Sequence, residues 1–279
     1  IIHSKDCNNL MRCATPDSEP LFSSVMGIHR ILSQANIPFR FVHLDEDGLD
    51  EMLKMKVLFF PLPLCLGREQ AERLKEYVQR GGTLICEAQV GHYDLYGFSS
   101  ERVPGMGLDE LFGCRRQEEL TSRIESEQIK TQMGEMEAKW LKEVYEPTSG
   151  TAMGYYSDGM VAAVRNSYGK GEAILFGSIV FDPAANTSSL KALVPQECLG
   201  PVRTEPEVFA RMLSTDSEAA VVVVNSQDRP LESEITPSDV IHPQRVLDLW
   251  NQTEWPVRGK TITLSLKAWG VAVLLFRRK

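Results

Sequence analysis

The chain has 279 residues, 43% of them hydrophobic, enough for about two cored domains at roughly 150 residues each. Its formal charge of −8 excludes the basic surface that nucleic acid or an anionic membrane requires of a partner. No apolar run approaches the ~20 residues of a membrane-spanning helix.

Ile1 and Ile2 read as the end of a strand, and the opening IIHSKD, without Met, reads as part of something longer. Phe22, Val25, Met26, His29 and Leu32 share one helical face between Pro20 and Gln34. Phe39 to His43 suits a strand, and Leu49, Met52 and Leu53 a short helix. Asp45, Glu46 and Asp47 read as a solvated turn entering that helix at the end where negative charge is favoured. The clearest stretch runs from Lys56 to Cys86. Val57–Phe60 is a short apolar run closed by Pro61 and Pro63, and Ala71, Leu74, Tyr77 and Val78 follow at helical spacing. Gly81 and Gly82 then fall where a helix ends, and Thr83–Cys86 is apolar again. This is a strand–helix–strand unit with parallel strands and a right-handed crossover. The alternation over residues 1–86 implies an α/β fold, a parallel sheet covered by helices on both faces.

Residues 87–113 are turn-rich, with a short helix at Leu108–Phe112. The highly charged stretch 115–147 reads as a strand or two plus a helix around Met136–Val144. Met153–Tyr156, Met160–Arg165 and Glu172–Phe176, separated by turns, predict an antiparallel meander or sheet edge. Asp182–Pro206 is a linker by composition, with one helical turn at Leu190–Leu193. Beyond it, Val208–Leu213, Ala220–Val224, Leu231–Ile235, Arg245–Leu249, Thr261–Leu266 and Val271–Phe276 are strand-like, and a small β-sandwich is the natural architecture. The expected domains are therefore 1–181 and 207–279, joined by 182–206.

Four stretches resemble the non-catalytic part of family 42 glycoside hydrolases, mostly β-galactosidases. They are PLPL…QAERLKEYVQRGGTLI at 61–85 with VGHYD at 90–94, VPGMGLDELFGC at 103–114, YSDGMVAAVRNSYGKGEAILFG at 156–177, and the closing VVVVN, VLDLWNQTE and LSLKAWGVAVL. The resemblance implies a flavodoxin-like sheet related to class I glutamine amidotransferases that serves in trimerisation, followed by a C-terminal β-sandwich. It implies a homo-oligomer, a trimer. That family's catalysis lies in an upstream (β/α)8 barrel; this chain has no Asn-Glu dipeptide and no room for a barrel of about 250 residues. No pair of carboxyls qualifies as a glycosidase acid and nucleophile, so no catalytic residue is carried over. No cofactor and no metal are expected.

Residue chemistry leaves two further readings. Cys86 ends a strand near where amidotransferase-like folds place a nucleophile, with Glu87 beside it and His92 six residues on. A cysteine hydrolase or amidotransferase using Cys86, His92 and Glu87 is thus an alternative, although Glu87-Ala88-Gln89 is not a nucleophile elbow and a buried structural Cys is preferred. Glu87, His92 and Asp94 also gather where open α/β sheets bind ligands; a hydrogen-bonded loop or subunit contact outweighs a polar or metal site. Cys65 in LCLGREQ matches the amidotransferase nucleophile motif only by chance, and Asn166–Gly171 suits a hairpin turn better than a phosphate loop. Among Trp140, Trp250, Trp255 and Trp269, the pair Trp250 and Trp255 could stack on a sugar, making a carbohydrate-binding module the third reading; core packing is preferred. The six cysteines, at 7, 13, 65, 86, 114 and 198, form no CxxC pair. They suit a reducing, cytoplasmic compartment, and no signal peptide is evident.

Overall fold

A computed structural model of the chain describes residues 1–14, 19–44, 49–204 and 208–278. The expected turn at Asp45, Glu46 and Asp47 lies outside the described residues. The chain divides into two compact units, Ile1–Ile31 with Phe39–Val194, and Leu32–Pro38 with Pro195–Lys279.

In the first unit, β1 (Ile2–His3) pairs in parallel with β2 (Val42–His43), and between them run α1 (Lys5–Ala14) and α2 (Glu19–Gln34). After α3 (Leu49–Leu53) come β3 (Val57–Phe60), α4 (Arg68–Gln79) and β4 (Thr83–Cys86), with Val57 opposite Thr83 and Phe60 opposite Cys86 in parallel register. Local chemistry explains this unit. The Gln70 side chain turns back to accept the Gly67 N–H at 2.7 Å, satisfying one donor at the start of α4. Ala71, Leu74, Tyr77 and Val78 are fully buried. Gly81 takes a positive φ of 114° that ends the helix. Gly82 is needed for space, since a Cβ there would lie 2.2 Å from the Tyr77 ring. The Tyr77 hydroxyl donates to the carbonyls of Met55 and Thr83, tying the helix to the strand ends on either side.

The rest of the first unit is α5 (Leu108–Phe112), β5 (Cys114–Thr131), β6 (Gly134–Pro147), β7 (Thr151–Tyr156), β8 (Val161–Tyr168), β9 (Gly171–Phe176) and α6 (Thr187–Lys191). The main sheet has the order β3-β4-β9-β8-β7-β5-β6. This overturns the expectation of a flavodoxin-like, amidotransferase-like parallel sheet with helices on both faces. The sheet is mixed: β3, β4 and β9 run parallel, and every pairing from β9 onward is antiparallel. Strand outweighs helix because residues 114–176 supply five strands and no helix. The helix expected around Met136–Val144 is part of β6. Met136 and Ala138 point inward there while Glu135, Glu137 and Lys139 face outward, a period of two. A positive φ of 75° at Trp140 and register shifts in β5 then break the alternation that would have marked the strand.

Among its described residues, the second unit's regular elements are all strands except for a short 3-10 turn at Gln196–Cys198 and the end of α2. Its strands are β10 (Val202–Arg203), β11 (Val208–Ser214), β12 (Glu218–Asn225), β13 (Leu231–Pro237), β14 (Val240–Ile241), β15 (Arg245–Asp248), β16 (Thr253–Arg258), β17 (Thr261–Leu266) and β18 (Val271–Arg278). They form one sheet of order β10-β13-β17-β16-β15-β18-β12-β11, with β14 on β18. β10 and β11, at the two ends of that order, contact each other, so the sheet is nearly closed and barrel-like. Ile262, Leu264 and Leu266 fill its interior with Val221, Val223, Ala272, Leu274 and Phe276. β16 escaped the sequence reading because Pro256 and Glu254 interrupt its apolar pattern.

Candidate functional site

The carboxyl end of β4 carries the candidate residues, and the structure separates them. Cys86 is buried. Burial, then the neighbouring Glu87 and Cys7, push its thiol well above the usual range, the opposite of what an attacking thiolate needs. Glu87 is fully buried. Its Oε1 accepts the N–H groups of Val180 and Phe181 at 2.9 and 2.8 Å, and the Ser24 hydroxyl donates to Oε2. Burial raises this carboxyl from 4.5 to about 7, against the hydrogen bonds that favour its charge. Glu87 thus fastens the segment after β9 to α2.

His92 turns elsewhere. Its ring stacks on Tyr93 at 4.5 Å, and Nδ1 lies 2.9 Å from Gln89 Oε1. Gln89 leads to Glu143, a carboxylate the sequence reading missed: the Gln89 N–H donates to Glu143 Oε2 at 3.0 Å. Arg116 Nη1 donates to Glu143 Oε1 at 2.8 Å, and the Tyr145 hydroxyl donates to Oε2 at 2.7 Å. Glu143 is fully buried, so this pairing compensates its charge. Burial and the adjacent carboxylate hold the Tyr145 phenol well above its ordinary range. No signal in the sequence marked Glu143, because the register break at Trp140 hides which residues of 139–145 face inward. Asp94 is an internal clasp: its Oδ1 accepts the N–H groups of Tyr96 and Phe98, both at 2.9 Å.

The remaining candidates have structural surroundings. The Cys65 thiol donates to the Asp94 carbonyl at 3.2 Å. Asn166 Nδ2 donates to the carbonyls of Glu110 and Leu111, capping α5, and Ser167–Gly171 turns from β8 to β9 as a hairpin. Trp140 packs on the first core and Trp255 on the second. Trp255 donates its indole N–H to Asp248 Oδ2 at 3.2 Å. Asp248, fully buried, also accepts the N–H groups of Trp250, Asn251 and Val273 and the Asn251 amide, and so fixes the turn after β15. Trp250 and Trp269 are 68% and 66% exposed; the structure therefore separates Trp250 from Trp255 by environment. An open cleft of about 620 Å³ lies between α4 and α5. Arg68, Glu72, Glu101, Arg102 and Asp109 line it, with no Cys or His among the lining residues. The described residues contain no cluster of His, Cys, Asp and Glu able to hold a metal ion.

These features define a class: a mixed-sheet unit and an all-β unit in which the candidate carboxylates Glu87 and Asp94, with Glu143 and Asp248, are engaged in holding the fold. Residues 1–198 match the family model of the beta-galactosidase trimerisation domain, and the chain belongs to that family. It is 26% identical over 238 residues to the beta-galactosidase BgaB of Geobacillus sp. (strain Y412MC61), covering 80% of this chain and 33% of that protein. The chain thus spans about a third of that relative's length. Its fold is similar to a catalytic mutant of Gan42B, a GH42 beta-galactosidase from G. stearothermophilus, with a TM-score of 0.83 at 20% identity, covering 99% of this chain and 40% of the other. The beta-galactosidase from Bacillus circulans sp. alkalophilus gives a TM-score of 0.72 at 18% identity, over 93% of this chain and 38% of the other.

Proposed function

We propose that the chain is the accessory, assembly-forming region of a β-galactosidase-like glycoside hydrolase, joining identical copies into a homo-oligomer, a trimer, while the bond-breaking residues lie elsewhere in the whole protein. The observation that carries this is the trimerisation-domain match over residues 1–198. The burial of Cys86 and the engagement of Glu87, His92 and Asp94 in internal hydrogen bonds support it over a cysteine hydrolase. Size-exclusion chromatography with light scattering tests it: a mass of three chains is expected, and a monomer at high concentration overturns it. A second reading, carbohydrate binding by the second unit, is favoured by one observation, the 68% exposure of Trp250. Retardation by soluble galactan in affinity electrophoresis, lost on Trp250→Ala, would carry that reading; no retardation would remove it.

A further inference from the structure

We propose that the loop of residues 94–98 is the apolar contact by which one copy of this chain holds the next. The proposal rests on the assembly reading above and names the surface that reading leaves open. Among the described residues within the family match, the large hydrophobic side chains that stand exposed are Phe22, Phe41, Leu95, Tyr96, Phe98 and Tyr155. Half of them fall in this one loop, with Tyr96 87% and Phe98 72% exposed. Two aromatic rings exposed on one short loop add little to the chain's own core, and exposed apolar clusters of this kind mark protein contacts.

The loop is built to present those rings. Besides the two N–H groups gathered by Asp94 Oδ1, the Gly97 N–H donates to the Asp94 carbonyl at 3.0 Å and the Asp94 N–H to the Phe98 carbonyl at 2.9 Å. Gly97 has a φ of 82°, where a glycine costs nothing. The base of the loop is stitched to residues 64–66 by the Leu66 N–H to the Tyr93 carbonyl and the Tyr93 N–H to the Leu64 carbonyl. Leu95 folds back over the start of α4, where a Cβ on Gly67 would come within 2.8 Å of its Cδ1. Aromatic rings on a preorganised loop lose little conformational freedom on contact, the property of an interface anchor.

The occupant is a second copy of the chain. The loop lies inside the span matched to a trimerisation domain, whereas exposed Trp250 and Trp269 lie beyond residue 198. In a closed ring of three the contact is head-to-tail, so each loop meets a different surface of the next copy and one substitution removes every contact. The test is sedimentation velocity on the whole chain carrying Tyr96→Ser and Phe98→Ser, beside Trp250→Ser with Trp269→Ser. The loop variant is expected to raise the dissociation constant on the order of 1,000-fold, as loss of two anchors does, with a circular dichroism spectrum unchanged from that of the unmodified chain, which shows that each copy still folds. The tryptophan variant is expected to assemble as the unmodified chain does. A loop variant that assembles as tightly as the unmodified chain overturns the proposal. A monomeric unmodified chain overturns the assembly reading instead, and the loop's role with it.

Discussion

Replacing Glu87 by Gln should make the protein more stable in mild alkali. The folded chain keeps the Glu87 proton up to about pH 7, whereas the unfolded chain releases it near 4.5. Between those values the unfolded state binds fewer protons, so stability falls as pH rises, and above pH 7 the full deficit is present. A difference from 4.5 to about 7, at about 1.4 kcal/mol per pH unit, is about 3 kcal/mol. Gln carries no charge to lose, and its carbonyl oxygen can still accept the Val180 and Phe181 N–H groups. Urea unfolding of both proteins at about pH 4.5 and pH 8 isolates the effect, because all other groups titrate alike in both. Near-equal stability is expected at the lower pH, and an advantage of about 3 kcal/mol for Glu87→Gln at the higher. Parallel profiles for the two proteins would refute the claim that Glu87 is buried and neutral in the fold.

Glu143→Ala removes the carboxylate that Arg116, Tyr145 and Gln89 share, and should cost about 3–5 kcal/mol by thermal unfolding, with Arg116 losing that partner inside the fold. Asp248→Ala strips the acceptor from the turn at 249–251 and should cost about 2–3 kcal/mol while shifting the fluorescence of Trp250 and Trp255. With a thiol reagent under native conditions, exposed Cys13 should react in the folded chain and buried Cys86 only on unfolding.

The strand–helix–strand unit at 57–86 was legible because its two periods, helical in α4 and apolar runs in β3 and β4, are each unbroken and are punctuated by Pro61 and Gly81. The alternation of Thr261, Thr263 and Ser265 with Ile262, Leu264 and Leu266 showed β17 equally well. The β5–β6 hairpin was not legible: charged residues occupy both of its faces, and the break at Trp140 removes the period that separates strand from helix. The parallel sheet was inferred from the alternation over residues 1–86, but of that stretch only β3 and β4 enter the main sheet: β1 and β2 pair apart from it, and the strands beyond β9 in the sheet order are antiparallel. The chemistry of the candidate residues was hidden for a different reason. Glu143 meets partners 27 and 54 residues away, and Glu87 meets backbone 93 and 94 residues away, separations that no local pattern encodes. The exposure of Trp250 against the partial burial of Trp255 depends on the Asp248 turn, whose donors include two strands, β16 and β18.

Sedimentation equilibrium of the unmodified chain over a range of concentrations is the most direct measurement of whether it exists to assemble. A single species at three times the chain mass of 31.3 kDa is the expected result, and a species of 31.3 kDa at every concentration would contradict it.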